Sequence, residues 1–212
     1  MDFDKKVIAA KLRRWEKYLE EYRLPEWDQI PDLGLYMEQV IVLLKDYLDY
    51  MPPEIKDDQF LTAATINNYV RMKIMPGPVK KRYYRVHIAY LLIICSLKQG
   101  MSLALIQKII PMNISKDQVR DIYEQFCQQH SKAGDLFRRE IRQMAGKILD
   151  HPDAPEWAAQ DPSELIILTA MTGTFARLLT EKLLLMEGLD ESHAGDLSLD
   201  VSRPHRSSTG KD

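Results

Sequence analysis

LTAATINNYVRMKIMPGPVKKRYYRVHIAYLLIICSLKQGMSLALIQKII, residues 61–110, decides how this chain folds. Thr62 is placed to cap a short helix over Ala63–Met72, because its hydroxyl can accept an amide of the first turn. Lys73-Ile74-Met75-Pro76-Gly77-Pro78 cannot continue that helix: both prolines lack the amide donor, and Gly77 favours a turn. Val79–Tyr84 then reads as the return of a small hairpin. Apolar residues recurring at three and four predict a helix from about Arg85 to Gln99, with Ile88, Leu91, Leu92, Ile94 and Cys95 buried. Gly100 suits its C-terminal stop. Ser102 restarts a short helix over Leu103–Ile110, which Pro111 ends.

The same region carries the chain's charge asymmetry. From Gln59 to Lys116 there is no Asp or Glu, while nine cations occur: Arg71, Lys73, Lys80, Lys81, Arg82, Arg85, Lys98, Lys108 and Lys116. The whole chain of 212 residues is −2, so everything outside this window sums to −11. Clustered cations attract a polyanion. Six of the nine fall within Arg71–Arg85, interleaved with Tyr83 and Tyr84, which points to nucleic acid.

Working outward, glycine is scarce at nine residues and 45% of the chain is hydrophobic, the profile of a mostly helical chain able to bury a core. Phe3, Val7, Ile8, Leu12, Trp15, Leu19 and Tyr22 trace one face of an N-terminal helix, with Asp2 and Asp4 at its positive end. Leu24–Pro31 is an irregular connector. Leu35, Met37, Val40, Ile41, Leu44, Tyr47 and Leu48 mark a second helix, stopped by Pro52-Pro53 before a polar loop at Lys56–Gln59. Beyond the basic region, Ser115 caps a helix bearing Val119, Ile122, Tyr123 and Phe126, and Leu136, Phe137, Ile141, Met144 and Ile148 mark the next. Asp161-Pro162-Ser163-Glu164 is a strong start signal for a last helix reaching about Gly188. That helix is apolar over so wide a surface that it calls for burial on more than one side, inside its own domain or against a dimer partner or ligand. The division expected is 1–34 for the N-terminal helix and connector, 35–112 for a winged helix-turn-helix, 115–189 for a second helical domain serving dimerisation or a ligand, and 190–212 for a disordered tail.

Helix, loop, short helix, basic Pro/Gly hairpin and buried helix follow each other in the order of a winged helix-turn-helix, whose second helix enters the major groove while hairpin cations touch phosphates. Asn67, Asn68 and Arg71 share the short helix with Thr65. Asn pairs with adenine and Arg with guanine in bidentate fashion, though the two asparagines serve equally to brace the turn. Lys80, Lys81, Arg82 and Arg85 suit phosphate neutralisation, Lys73 belongs to the same DNA-contacting set, and the hydroxyls of Tyr69, Tyr83 and Tyr84 suit neutral phosphate bonds; tyrosines in such positions also serve as packing.

Residues 61–110 resemble the DNA-binding half of MerR-type regulators. TINNYVRMKIMP at 65–76 stands for the recognition helix, Arg82-Tyr83 for the wing, and GMSLALIQKII at 100–110 for the segment after the long helix. Asn67 stands where that family usually has Arg, and Tyr84 where it has a Ser cap. LPEWDQIPDLGLYMEQV, LTAATINNYV, the KKRYYR-x-HIAYL stretch and LKQGMSL are similar to an uncharacterised bacterial family, domain of unknown function 1836, over roughly Trp15 to Ile110. The resemblance implies an all-α fold with a small β-hairpin wing, and a sequence-specific transcriptional regulator that binds double-stranded DNA as a homodimer, with room for a small-molecule effector in the C-terminal domain. The alternative is a protein-interaction module whose basic wing docks an acidic partner.

Other classes find little footing. The start MDFDKKVIAAKLRRW is charged throughout, and the longest uncharged run, Leu165–Ala176, has 12 residues, below the roughly 18–20 that cross a bilayer. A cytoplasmic protein off the membrane is the expectation. Cys95 and Cys127 sit in apolar helical stretches and read as plain thiols. Cys127-Gln-Gln-His130 has metal-compatible spacing but no second pair. No catalytic motif, metal site or cofactor is expected.

Overall fold

Five of the seven helices among the described residues begin where a side chain satisfies first-turn amides. In the computed structural model, which describes residues 3–51 and 61–190, α1 (Lys5–Glu21) is capped by Asp4, whose carboxylate accepts from the Lys6 and Val7 amides. Thr62 caps α3 (Ala63–Arg71) through the Thr65 amide, and Ser102 caps α5 (Leu103–Ile109) through Leu105. Ser115 and Gln118 form a reciprocal capping box at the start of α6 (Lys116–Met144). Asp161 with Pro162 opens α7 (Pro162–Leu185). Between these lie α2 (Met37–Tyr47), α4 (Arg85–Leu97) and a single 3-10 turn at Trp27–Gln29. Asp2, the Pro52-Pro53 stop, the 56–59 loop and the tail from 191 onward fall outside the described residues.

The protein is all-α among the described residues. α4 is the axis: all nine residues from His87 to Cys95 are buried, the five expected from periodicity and four more. Around it α2, α3, α5, the connector and the first half of α6 close one core, running from Leu24 to Tyr123. A second, smaller core gathers Ala9 of α1, Ile141 and Met144 of α6, the turns at 145–159, and Leu165 of α7. The two helices expected on either side of residue 130 are one 29-residue helix, α6, shared by both cores. α1 lies along α6, with Trp15 edge-on to Phe137 at 5.6 Å and ion pairs from Arg138 to Glu20 and Arg142 to Glu16. Phe3 and Val7, expected on the buried face of α1, are exposed.

Where a β-hairpin wing was expected, no strand forms among the described residues. The chain makes two isolated antiparallel bridges, Val79 with Arg82 and Leu35 with Tyr83. Val79 and Arg82 exchange both backbone bonds, at 3.0 and 2.9 Å, so the turn closes over just Lys80 and Lys81. Leu35 and Tyr83 exchange bonds of 2.8 and 2.9 Å, which ties the turn's return arm to the connector rather than to its own outgoing arm. Pro76 and Pro78 explain the difference: the outgoing arm lacks amides to offer a ladder.

Candidate nucleic-acid interface

Half-buried Lys98 lies 5.9 Å over the Tyr69 ring, and the other eight cations of the charged window fall into three groups once the chain is folded. Three of its nine cations are taken by carboxylates from outside it. Arg85 pairs with Asp28 at 2.7 Å, Lys116 with Asp32 at 2.7 Å, and Lys108 with Glu187 at 2.9 Å. The Lys116 ammonium, with the Arg85 amide behind it, holds the Asp32 carboxyl below the usual carboxylate range. Arg82 takes a hydroxyl and a carbonyl instead, those of Tyr36 and Gly34. Arg71, Lys73, Lys80 and Lys81 remain exposed, and no carboxylate among the described residues pairs with them.

Those four cations border α3 and the turn packed beside it. A Cβ added at Gly77 would touch the Val70 side chain at 3.4 Å, so the Pro/Gly segment runs directly against α3. The end of α3 is a Schellman motif: the Lys73 amide bonds Val70 O at 3.0 Å and the Ile74 amide bonds Tyr69 O at 2.9 Å. The left-handed residue this motif needs, usually Gly, is Lys73, at φ 55°. Lys80 and Lys81 have φ of 50° and 63°, the pair of left-handed residues that a two-residue type I′ turn demands and that Asn-Gly supplies most easily. Side chains with a Cβ are disfavoured there by roughly 1–2 kcal/mol each. Three exposed lysines therefore occupy three left-handed positions in nine residues. Strain of this kind clusters at functional sites.

The remaining residues singled out from the sequence are divided between surface and core. Asn67 and Arg71, one turn apart, are exposed on the same face of α3 as Ala63 and Ala64. Asn68 is half-buried and accepts from the Arg71 guanidinium at 2.7 Å, which aims that guanidinium. The Thr65 hydroxyl lies 3.0 Å from that of Thr62 and braces the cap. Tyr69 and Tyr83 are 3% and 2% exposed; their rings are core, because α3 and the bridge at 83 face α4, and they offer no surface to phosphate. Arg85 is likewise turned inward, its Nε donating to Ile30 O at 2.7 Å.

Two positioning groups were not anticipated in this role. Buried His87 accepts the Tyr84 amide at Nδ1 (3.0 Å), which leaves Nε2–H to donate to Gly77 O (2.9 Å). One ring thus fixes both the start of α4 and the turn; its spacing three residues after Tyr84 is the only sequence hint. Gln107 of α5 donates to Lys73 O at 3.0 Å, holding the end of α3. Elsewhere, a cavity of about 410 Å³ lies between the connector and α6, lined by Arg23, Trp27, Asp28, Arg120, Glu124 and Cys127 among others. Cys95 is buried, and burial pushes its thiol up to about 12. No helix among the described residues is long and apolar enough to cross a membrane.

Residues 25–127 match the family described as Domain of unknown function (DUF1836). The match starts ten residues later than the resemblance over Trp15–Ile110 and reaches into α6, coinciding with the first core and its flanking Cys127. No curated protein and no solved structure matches the chain.

Proposed function

We propose that the domain at 25–127 binds double-stranded DNA, with α3 as the element that enters the major groove, in the manner of a MerR-like winged helix-turn-helix regulator. The observation that carries this reading is the set of exposed lysines at 73, 80 and 81, without a carboxylate partner among the described residues and held in left-handed conformations at the end of α3 and the turn beside it. Asn67 and Arg71 contact base edges, since both sit exposed one turn apart on α3. Lys73, Lys80 and Lys81 neutralise phosphates, with the two-residue turn acting as a shortened wing. Arg82, Arg85, Tyr69 and Tyr83 hold this surface in shape. As a regulator the protein works as a homodimer, presenting two α3 helices to related half-sites.

One observation favours a second reading, an acidic protein partner: Asp28, Asp32 and Glu187 of this same chain already dock onto cations of the window. The experiment that separates the two is selection of purified full chain on sheared DNA from its own genome at about 0.15 M salt. Enrichment of a few related sequences supports the DNA reading. Flat recovery that appears only at low salt contradicts it and leaves the acidic protein.

A further inference from the structure

Among the described residues, α7 is held at its ends and bare between them. Leu165 is buried in the second core, and Leu168, partly exposed, packs along its edge. At the other end the Lys108 ammonium bonds the Glu187 carboxylate at 2.9 Å and Leu184 O at 3.4 Å. From Ala170 to Leu179 every residue is exposed. Among the described residues, ten large apolar side chains between Ile166 and Leu189 are each at least 42% exposed. At about half exposure and the roughly 150 Å² a large side chain can bury, they leave on the order of 700 Å² of apolar surface. That exceeds the roughly 300–600 Å² of a typical monomer's largest patch and approaches the roughly 800 Å² one partner gives to a stable interface.

The polar residues of this stretch are already prepared for burial. The hydroxyls of Thr169, Thr172, Thr174 and Thr180 donate to the carbonyls four residues earlier, at 2.8, 2.9, 2.9 and 3.0 Å. Covering the helix leaves none of these groups unsatisfied. Arg177 and Glu181 pair within the helix at 3.6 Å.

The partner follows from the order of residues on one face. At 100° per residue, Glu164, Leu168, Met171, Phe175, Leu178 and Lys182 line up along α7, separated by four, three, four, three and four residues. The spacing is the same read in either direction, and the chemistry reverses into its own complement. We propose that α7 pairs antiparallel with α7 of a second copy of this chain, about a two-fold axis at the level of Gly173. Glu164 then faces the other copy's Lys182, Leu168 faces Leu178, and Met171 faces Phe175, each contact occurring twice as an isologous interface requires. A parallel pair would set Glu164 against Glu164 and Lys182 against Lys182.

The interface deepens the DNA-binding reading, on which it rests only for its purpose of presenting two α3 helices together. Sedimentation equilibrium of the full chain from about 1 to 100 μM, without DNA, reads it directly. The expected result is a dimer that Phe175→Glu converts to a monomer of unchanged helix content. Glu164→Lys weakens the dimer several-fold, and adding Lys182→Glu restores it. A wild-type monomer throughout the range overturns the proposal, as does a Phe175→Glu variant that dimerises equally well. A double swap no better than Glu164→Lys overturns the antiparallel register. A monomeric chain that still selects DNA sinks the interface alone; a dimer that selects none sinks the DNA reading alone.

Discussion

The guanidinium of Arg82 lies 3.7 Å over the centroid of the Tyr36 ring and donates to the Tyr36 hydroxyl at 2.7 Å. Its other terminal nitrogen reaches Gly34 O at 2.8 Å. The cation next to the exposed turn is therefore a clamp between the turn and the connector, 46 residues apart in sequence.

That geometry separates Arg82 from its neighbours by experiment. Arg82→Ala is expected to cost about 1–2 kcal/mol of stability, from the lost stacking and the carbonyl left without its donor. Arg82→Lys should not restore it, because an ammonium cannot stack and fork in the same way. Lys80→Ala or Lys81→Ala should stay within about 0.5 kcal/mol, as exposed unpaired side chains do. Urea unfolding of the four variants checks all of this.

The left-handed lysines give a prediction with opposite signs. Replacing Lys80-Lys81 by Asn-Gly fits the type I′ turn better and is expected to raise stability by about 1–2 kcal/mol. The same change would remove the two phosphate contacts proposed for these lysines. Thermal unfolding should therefore rise while affinity for DNA falls. A variant that is no more stable, or that binds as well as wild type, contradicts the assignment of these residues to function over fold.

Arg85 anchors the connector to the start of α4. Its Nε–H to Ile30 O bond at 2.7 Å is the shielded contact; the Asp28 carboxylate it also meets is 76% exposed. Arg85→Ala is expected to cost about 2–3 kcal/mol, as loss of a charged hydrogen bond to a buried carbonyl does. Asp28→Asn should cost under about 1 kcal/mol, as screened pairs do. Denaturant midpoints at constant slope check both.

His130 packs among Tyr22, Tyr50 and Phe126. Burial first, and then the Arg23 charge, pull its pKa below the ordinary 6.5. The unfolded chain then binds the proton more readily than the folded one, so stability rises with pH in this window. It is fully present above about 6.5 and is lost as pH falls through the lower folded value. A His130→Gln variant should lose this component of the acid-side decline, measured as melting temperature against pH between about 5 and 7.5.

How far the fold can be read from residues alone depends on what each element leans on. α4 was legible because a continuous apolar run bounded by Arg85 and Gly100 needs only local periodicity. The caps at Thr62, Ser102, Ser115 and Asp161 were legible for the same reason. α6 was read as two helices because Ser131 to Asp135 is polar and includes Gly134; α1 packed along it, with the Arg138–Glu20 pair, carries the helix through. At the site, Asn67, Arg71 and the lysines could be placed at the surface from their helix and turn. The inward turn of Arg85 and Tyr83 depends on Asp28, Ile30 and Leu35, about fifty residues away in sequence. The left-handed lysines were hidden because glycine is the usual sign of such positions. Gly77, which does carry that sign, was expected to turn, yet its φ is not left-handed and the turn falls at Lys80-Lys81 instead.

Lys80 and Lys81, with Lys73 and Arg71, are proposed to form a phosphate-binding surface beside α3. The most direct measurement is affinity for a genome-selected DNA fragment as a function of salt, for wild type and the Lys80→Ala/Lys81→Ala double variant. Four phosphate contacts give a slope of log affinity against log salt near −4, and removing two of them should bring it to about −2, at roughly 0.9 per contact. That flattening is expected with the melting temperature unchanged or raised. An unchanged slope, or wild-type binding with no salt dependence, contradicts it.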